Sequence, residues 1–170
     1  MDNRENIEQI AQKIEQNSDK IDEMEVKIEP ANQDNQKVIF SAVRNEGNIA
    51  KGTIITYNQL VTNVGNGMNI NTGRFKAPLP GIYYFSFSGR TDTSSHYIYI
   101  DIWKNDVEQF DILDSNDSGN YNTFELLSYA WTMVLKENDE VHLRVEGPKG
   151  LDVRRSSPVW FNGFLLLKSN

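Results

Sequence analysis

The chain has 170 residues, no cysteine and a formal charge of −7, with 38% hydrophobic residues. Lack of cysteine excludes a disulfide framework, a zinc–thiolate site and thiol catalysis. An isoelectric point near 4.8 makes the chain a poor nucleic-acid ligand, because phosphate neutralisation needs clustered Lys and Arg. This length suits one domain plus an appendage. A mean hydropathy of −0.56 means that apolar residues must be concentrated to build a core. Aromatic and β-branched residues dominate after Val38 and polar ones before it.

Residues 1–29 contain neither Gly nor Pro. Ile7, Ile14, Ile21 and Ile28 recur every seven residues, and Ile10, Asn17 and Met24 follow three behind. This a/d pattern predicts a coiled-coil helix, and isoleucine at both positions favours more than two strands. Asn17 is a polar break that can set register. The competing reading is a frayed amphipathic tail, since short isolated helices are marginal in water. Pro30 is expected to end the helix, and 30–36 to be a polar linker.

From residue 37 to 170 the pattern is of strands. Lys37–Arg44 predicts the first, Asn45–Asn48 a turn, and Thr53–Val64 one long alternating strand. Gly65-Asn66-Gly67 and Asn71-Thr72-Gly73 are turn clusters. Pro78, Pro80 and Gly81 make a tight entry into a strand with Tyr83, Phe85 and Phe87 on one face and Tyr84, Ser86 and Ser88 on the other. His96–Lys104 sets Tyr97, Tyr99, Asp101 and Trp103 against Ile98, Ile100 and Ile102, and Asn105-Asp106 is a hairpin turn into Val107–Leu113. Asp114–Asn122 is acidic and polar; Thr123–Leu135, Val141–Glu146 and Val159–Lys168 complete an all-β sandwich.

The positions Tyr57, Asn63, Met68, Phe75, Gly81, Tyr83, Phe85 and Phe87 fall at the intervals of an aromatic signature. By it the chain resembles the C1q globular head family. Tyr57 stands for the usual phenylalanine and Met68 for the usual aromatic; both keep a bulky apolar group. Phe40-Ser41-Ala42-Val43-Arg44 and Phe161-Asn162-Gly163-Phe164-Leu165-Leu166 are similar too, so the resemblance spans about Lys37–Ser169. It implies a ten-strand jelly roll, shared with tumour necrosis factor-like heads, that packs as a homotrimer. No Gly-X-Y repeat occurs, so a collagen stalk is not expected. A trimeric head would hold three helices close and make the Ile7–Ile28 seam effective.

Two constellations could bind ligands. Asp114-Ser-Asn116-Asp117-Ser118-Gly119, with Glu125 beyond, has the spacing of a calcium loop: several hard oxygens, a bend at glycine, and a terminal carboxylate. Strands rather than helices flank it, so an acidic loop without metal stands as the other reading; the resemblance implies calcium near Asp117 and Glu125. Asn116-Asp117-Ser118 is also a glycosylation sequon. Arg144, Lys149, Arg154 and Arg155 form the most basic local cluster, suited to an anionic glycan or an acidic protein face, or else ordinary solvated charge. Two histidines with no nucleophile motif leave no catalytic set, so no enzyme is expected, and calcium is the one cofactor considered. No apolar run is long enough for a membrane span, and Met1–Asn6 has no leader-like apolar run. The expected protein is a secreted, lectin-like recognition trimer binding repeated glycan or microbial surfaces through head loops. The rivals are a receptor-clustering signalling ligand and a calcium-associated matrix protein.

Overall fold

The computed structural model describes residues 3–33, 37–91, 97–115, 125–146, 151–153 and 158–169. The chain forms two units, Met1–Gln36 and Lys37–Asn170.

The first unit is helix α1, Asn3–Gln33. It does not stop before Pro30 as expected. Proline removes its own N–H bond and crowds the carbonyl four residues back, which bends a helix but need not end it, and the helix runs one turn further. Ile7, Ile10, Ile14 and Ile21 are all more than half exposed in the single chain, and Asn17 is exposed with them. The side chains of Met24 and Ile28 lie outside the described residues.

The second unit is built from strands β1 (Ile39–Arg44), β2 (Gly47–Ile49), β3 (Thr53–Ile54), β4 (Gln59–Val64), β5 (Met68–Asn69), β6 (Arg74–Lys76), β7 (Gly81–Thr91), β8 (Tyr97–Lys104), β9 (Val107–Ser115), β10 (Glu125–Leu135), β11 (Glu140–Val145), β12 (Leu151–Val153) and β13 (Val159–Lys168). Sheet I has the order β10-β7-β13-β1-β4, and sheet II the order β5-β6-β11-β8-β9 with β3 added beside β11. Every pairing is antiparallel. β12 and β2 pair as a separate two-stranded ribbon, whose Val153 and Ile49 are buried with the core. Five strands on each main path give the sandwich, as the alternating sequence required.

The predicted strand over Thr53–Val64 is in fact two. β3 pairs with β11 in sheet II, while β4 pairs with β1 in sheet I. Ile55–Asn58 crosses between the sheets, its amides caught by carbonyls of Leu143 (Ile55), Ile70 (Tyr57) and Val43 (Asn58).

Phe40, Tyr83, Phe85, Phe87 and Phe161 face inward from sheet I, meeting Phe75, Ile100, Ile102, Val141 and Leu143 from sheet II; all are at most 1% exposed. Phe40 lies 4.9 Å from both Phe75 and Phe161, and Phe85 lies 5.6 Å from Trp131. Such ring pairs add about 0.5–1.5 kcal/mol each beyond area burial. The one polar member of the aromatic signature has its own task. Asn63 receives the Met68 N–H at 3.0 Å and donates to the Met68 carbonyl at 3.1 Å, closing the β4–β5 turn. Tyr83 donates its hydroxyl to the Leu79 carbonyl at 2.7 Å, which fastens the Pro78–Pro80 entry to the strand it feeds.

Candidate functional site

The acidic loop joins β9 to β10. Asp114 lies at the end of β9 and Glu125 opens β10, and their side chains fall outside the described residues, as do Asn116 and Asp117 entirely. Among the described residues no three His, Asp or Glu side chains are placed to hold a metal ion. Of the basic cluster, Lys149, Arg154 and Arg155 lie outside the described residues. Arg144 is on β11, and its charge is engaged. Its Nε donates to the Gly52 carbonyl at 3.1 Å and faces Glu146 Oε1 at 2.7 Å, while the guanidinium lies 5.5 Å over the Trp103 ring. Arg144 therefore ties the chain before β3 to the end of β11.

The outward face of sheet I follows from strand register. One row reads Val64, Ile39, Phe164, Tyr84, Thr132 across five strands, and Leu167, Ile82 and Val134 lie next to it. Val134, Leu167 and Leu166 are each more than half exposed, and Tyr84 and Phe164 pack ring to ring at 5.0 Å. Beside this apolar band runs a polar row. Ser41 Oγ donates to Asn162 Oδ1 at 2.6 Å, and Asn162 Nδ2 donates to Ser86 Oγ at 3.3 Å.

The outward face of sheet II is chemically opposite. One cross-strand row is Arg74, His142, Trp103, Glu108, and the next is Ile54, Arg144, Asp101, Asp111. Arg74 bridges Asp106 at 2.7 Å and Glu140 at 3.2 Å. His142 is 2% exposed and its ring stacks on Trp103 at 6.0 Å. Burial first, and then the nearby Arg74 charge, hold His142 down to about 4, so it is neutral at physiological pH. Asp101 is 6% exposed. Burial, with Glu108, Glu146 and Asp111 around it, raises its carboxyl to about 6 against the opposing pull of Arg144. Among the described residues Asp101 makes no hydrogen bond or ion pair. Sequence reading set Asp101 on the correct face but gave it no role. The available signal was a lone carboxylate in the strand Tyr97-Ile-Tyr-Ile-Asp101-Ile-Trp103.

Comparison with known proteins adds to this geometry. A family model described as the C1q domain matches residues 39–166. A complement C1q subcomponent from Bos taurus is 28% identical over 137 residues, covering 80% of this chain and 54% of that protein. Complement C1q tumor necrosis factor-related protein 3 of Mus musculus is 32% identical over 116 residues, covering 68% of this chain and 45% of that protein. The chain thus spans about half the length of the curated relatives it matches. Among solved structures, the globular domain of zebrafish complement 1qA superposes with a TM-score of 0.66 at 23% identity, over 78% of this chain and 99% of that one. Murine APRIL at pH 5.0 gives 0.61 at 11% identity, over 76% and 99%. At these identities the structural likeness establishes the jelly-roll fold alone. Among the described residues, no helix is long and apolar enough to cross a membrane.

Proposed function

The chain belongs to the C1q domain family, and from that premise we propose that it is a secreted homotrimeric recognition protein, not an enzyme. One observation carries the oligomer: the apolar band of Ile39, Val64, Phe164, Val134 and Leu167 lies on an open sheet face. A contiguous apolar patch of this kind is covered in solution, and copies of the same head are the economical cover. The exposed isoleucines of α1 fit the same stoichiometry, with three helices closing the Ile7–Ile28 seam as a coiled coil.

Three identical heads with weak individual sites gain avidity when the ligand repeats, as glycan and microbial surfaces do. Lys149, Arg154 and Arg155, grouped by sequence, are the residues assigned to an anionic glycan on the strength of their charge. Calcium at Asp114, Asn116, Asp117 and Glu125 is supported by their spacing alone. Sedimentation equilibrium of the purified chain, followed by glycan and bacterial-surface arrays with and without calcium, tests this reading. A trimer that binds a repeating glycan supports it, and a monomer, or a trimer silent on every array, refutes it. The likeness to a C1q tumor necrosis factor-related protein favours a second reading, a ligand that clusters one receptor. That reading predicts a single protein partner of high affinity and no glycan selectivity.

A further inference from the structure

Asparagine followed by glycine occurs twice in the chain, at Asn66-Gly67 and at Asn162-Gly163. A glycine with no Cβ leaves its backbone nitrogen unshielded and free to approach the side-chain carbonyl of the asparagine before it. The two pairs share a sequence and differ in their surroundings. Asn162 lies within β13, its Oδ1 receiving Ser41 Oγ and its Nδ2 donating to Ser86 Oγ. Gly163 is in register with Phe40 on one side and Phe85 on the other, so its backbone is part of the ladder. Asn66 lies in the turn from β4 to β5, exposed and with a positive φ of 54°. Its side chain makes no hydrogen bond among the described residues. The Gly67 carbonyl receives the Lys76 N–H at 2.8 Å, whereas the Gly67 N–H donates to nothing among the described residues.

Packing also fixes the glycine. A Cβ on Gly67 would lie 2.6 Å from Phe75 Cε2 and 2.8 Å from the Lys76 carbonyl oxygen, and Phe75 is wholly buried. The fold thus requires at position 67 the residue that leaves Asn66 most open to attack. We infer that Asn66 is a site of spontaneous deamidation, converted with time to aspartate and isoaspartate through a cyclic imide with Gly67. The Gly67 nitrogen bonds to Cγ of Asn66 and gives up its proton. The bond from Cγ to the side-chain nitrogen breaks, and ammonia leaves with that proton. Water then opens the five-membered ring at either carbonyl. One product is aspartate; the other is isoaspartate, in which the main chain runs through Cβ and Cγ. Either product adds a negative charge two residues from Val64 on the apolar band. Isoaspartate also lengthens by one atom the loop that Asn63 closes onto Met68. Asn162 is spared because its strand must open first, and core strands open far less often than exposed turns.

The test incubates the full chain at about pH 8.5 and about 37 °C, conditions that favour loss of thermolabile amides. Peptide mapping by tandem mass spectrometry then follows the gain of about 1 Da at each asparagine. Asn66 is expected to convert at least about tenfold faster than Asn162 in the folded chain. In urea the two pairs should react within about threefold of each other, which shows that the fold sets the difference. The reaction should slow at about pH 6, because the attacking nitrogen has to lose its proton. Asn66→Gly, which suits the positive φ, should abolish the gain in that peptide. An Asn66 that stays intact in the folded chain but converts in urea would overturn the inference. So would equal rates at Asn66 and Asn162 in the folded chain, or an undiminished gain in Asn66→Gly. One chain suffices for this chemistry, so the outcome is independent of the recognition reading.

Discussion

Adding one methyl group at Gly163 should cost more than removing many surface contacts. A Cβ built there would lie 2.5 Å from Phe40 Cε1 and 2.7 Å from Phe85 Cδ1. Neither ring can step aside: Phe40 is held between Phe75 and Phe161, and Phe85 between Trp131 and Phe161. Overpacking of this sort costs about 1–3 kcal/mol, and the rigid ring cluster puts Gly163→Ala at the upper end, roughly 3 kcal/mol. With an unfolding entropy of about 2.1 cal/mol/K per residue, the head should melt roughly 10 °C lower. Calorimetry at fixed protomer concentration measures this, since oligomers melt concentration-dependently. Phe85→Leu vacates part of the ring volume, so Gly163→Ala/Phe85→Leu should be less destabilised than the sum of the singles by about 1 kcal/mol or more. A fall under about 3 °C, or strict additivity in the double variant, would refute the reasoning.

Neutralising Asp101 should stabilise the protein at neutral pH. Its folded carboxyl is raised to about 6, so the wild type loses stability as pH rises from near 4 through 6. Asp101→Asn should melt higher than wild type at pH 7.5, and the gain should vanish near pH 4. Asp139 has the opposite sign. Burial alone would raise it, but Asn105, Lys104 and the Lys136 N–H together hold it down to about 2. Its stabilisation is present above the usual carboxylate range and lost as pH falls through 2, so Asp139→Asn should lower Tm at pH 7 and make little difference near pH 2. Val134→Glu, on the apolar band, should yield a smaller species by sedimentation while far-UV circular dichroism stays that of the sandwich. Ile14→Asp/Ile21→Asp should abolish helical ellipticity and leave the head's melting intact.

The strands legible in the sequence are those whose two faces differ. β7 alternates aromatic with hydroxyl, and β8 isoleucine with tyrosine, acid and tryptophan, because one face meets the core and the other does not. The split of Thr53–Val64 was hidden for the same reason: β3 and β4 each alternate, and nothing in their composition says that they belong to different sheets. Extension of α1 past Pro30 was hidden because a proline reads as a stop in sequence, whereas in a helix it costs one bond and a bend that the neighbouring bonds can carry. Asp101 was visible as an outward acid but not as a buried one. Its burial depends on neighbours in β9 and β11 that are adjacent only once the sheet forms. Of the basic cluster, sequence proximity grouped Arg144 with Lys149, yet Arg144 is fastened to Gly52 and Glu146.

The side-by-side placement of β1 and β13 has a mechanical consequence. Their pairing is antiparallel, so Ile39, at the start of the head, is opposite Phe164, near its end. The Leu165 amide also bonds the Val38 carbonyl at 2.9 Å. A pull applied between residues 37 and 169 would therefore load these bonds one after another, like a zipper, and not all at once in shear. The head should yield to tension along that direction at lower force than a head whose terminal strands are loaded in shear.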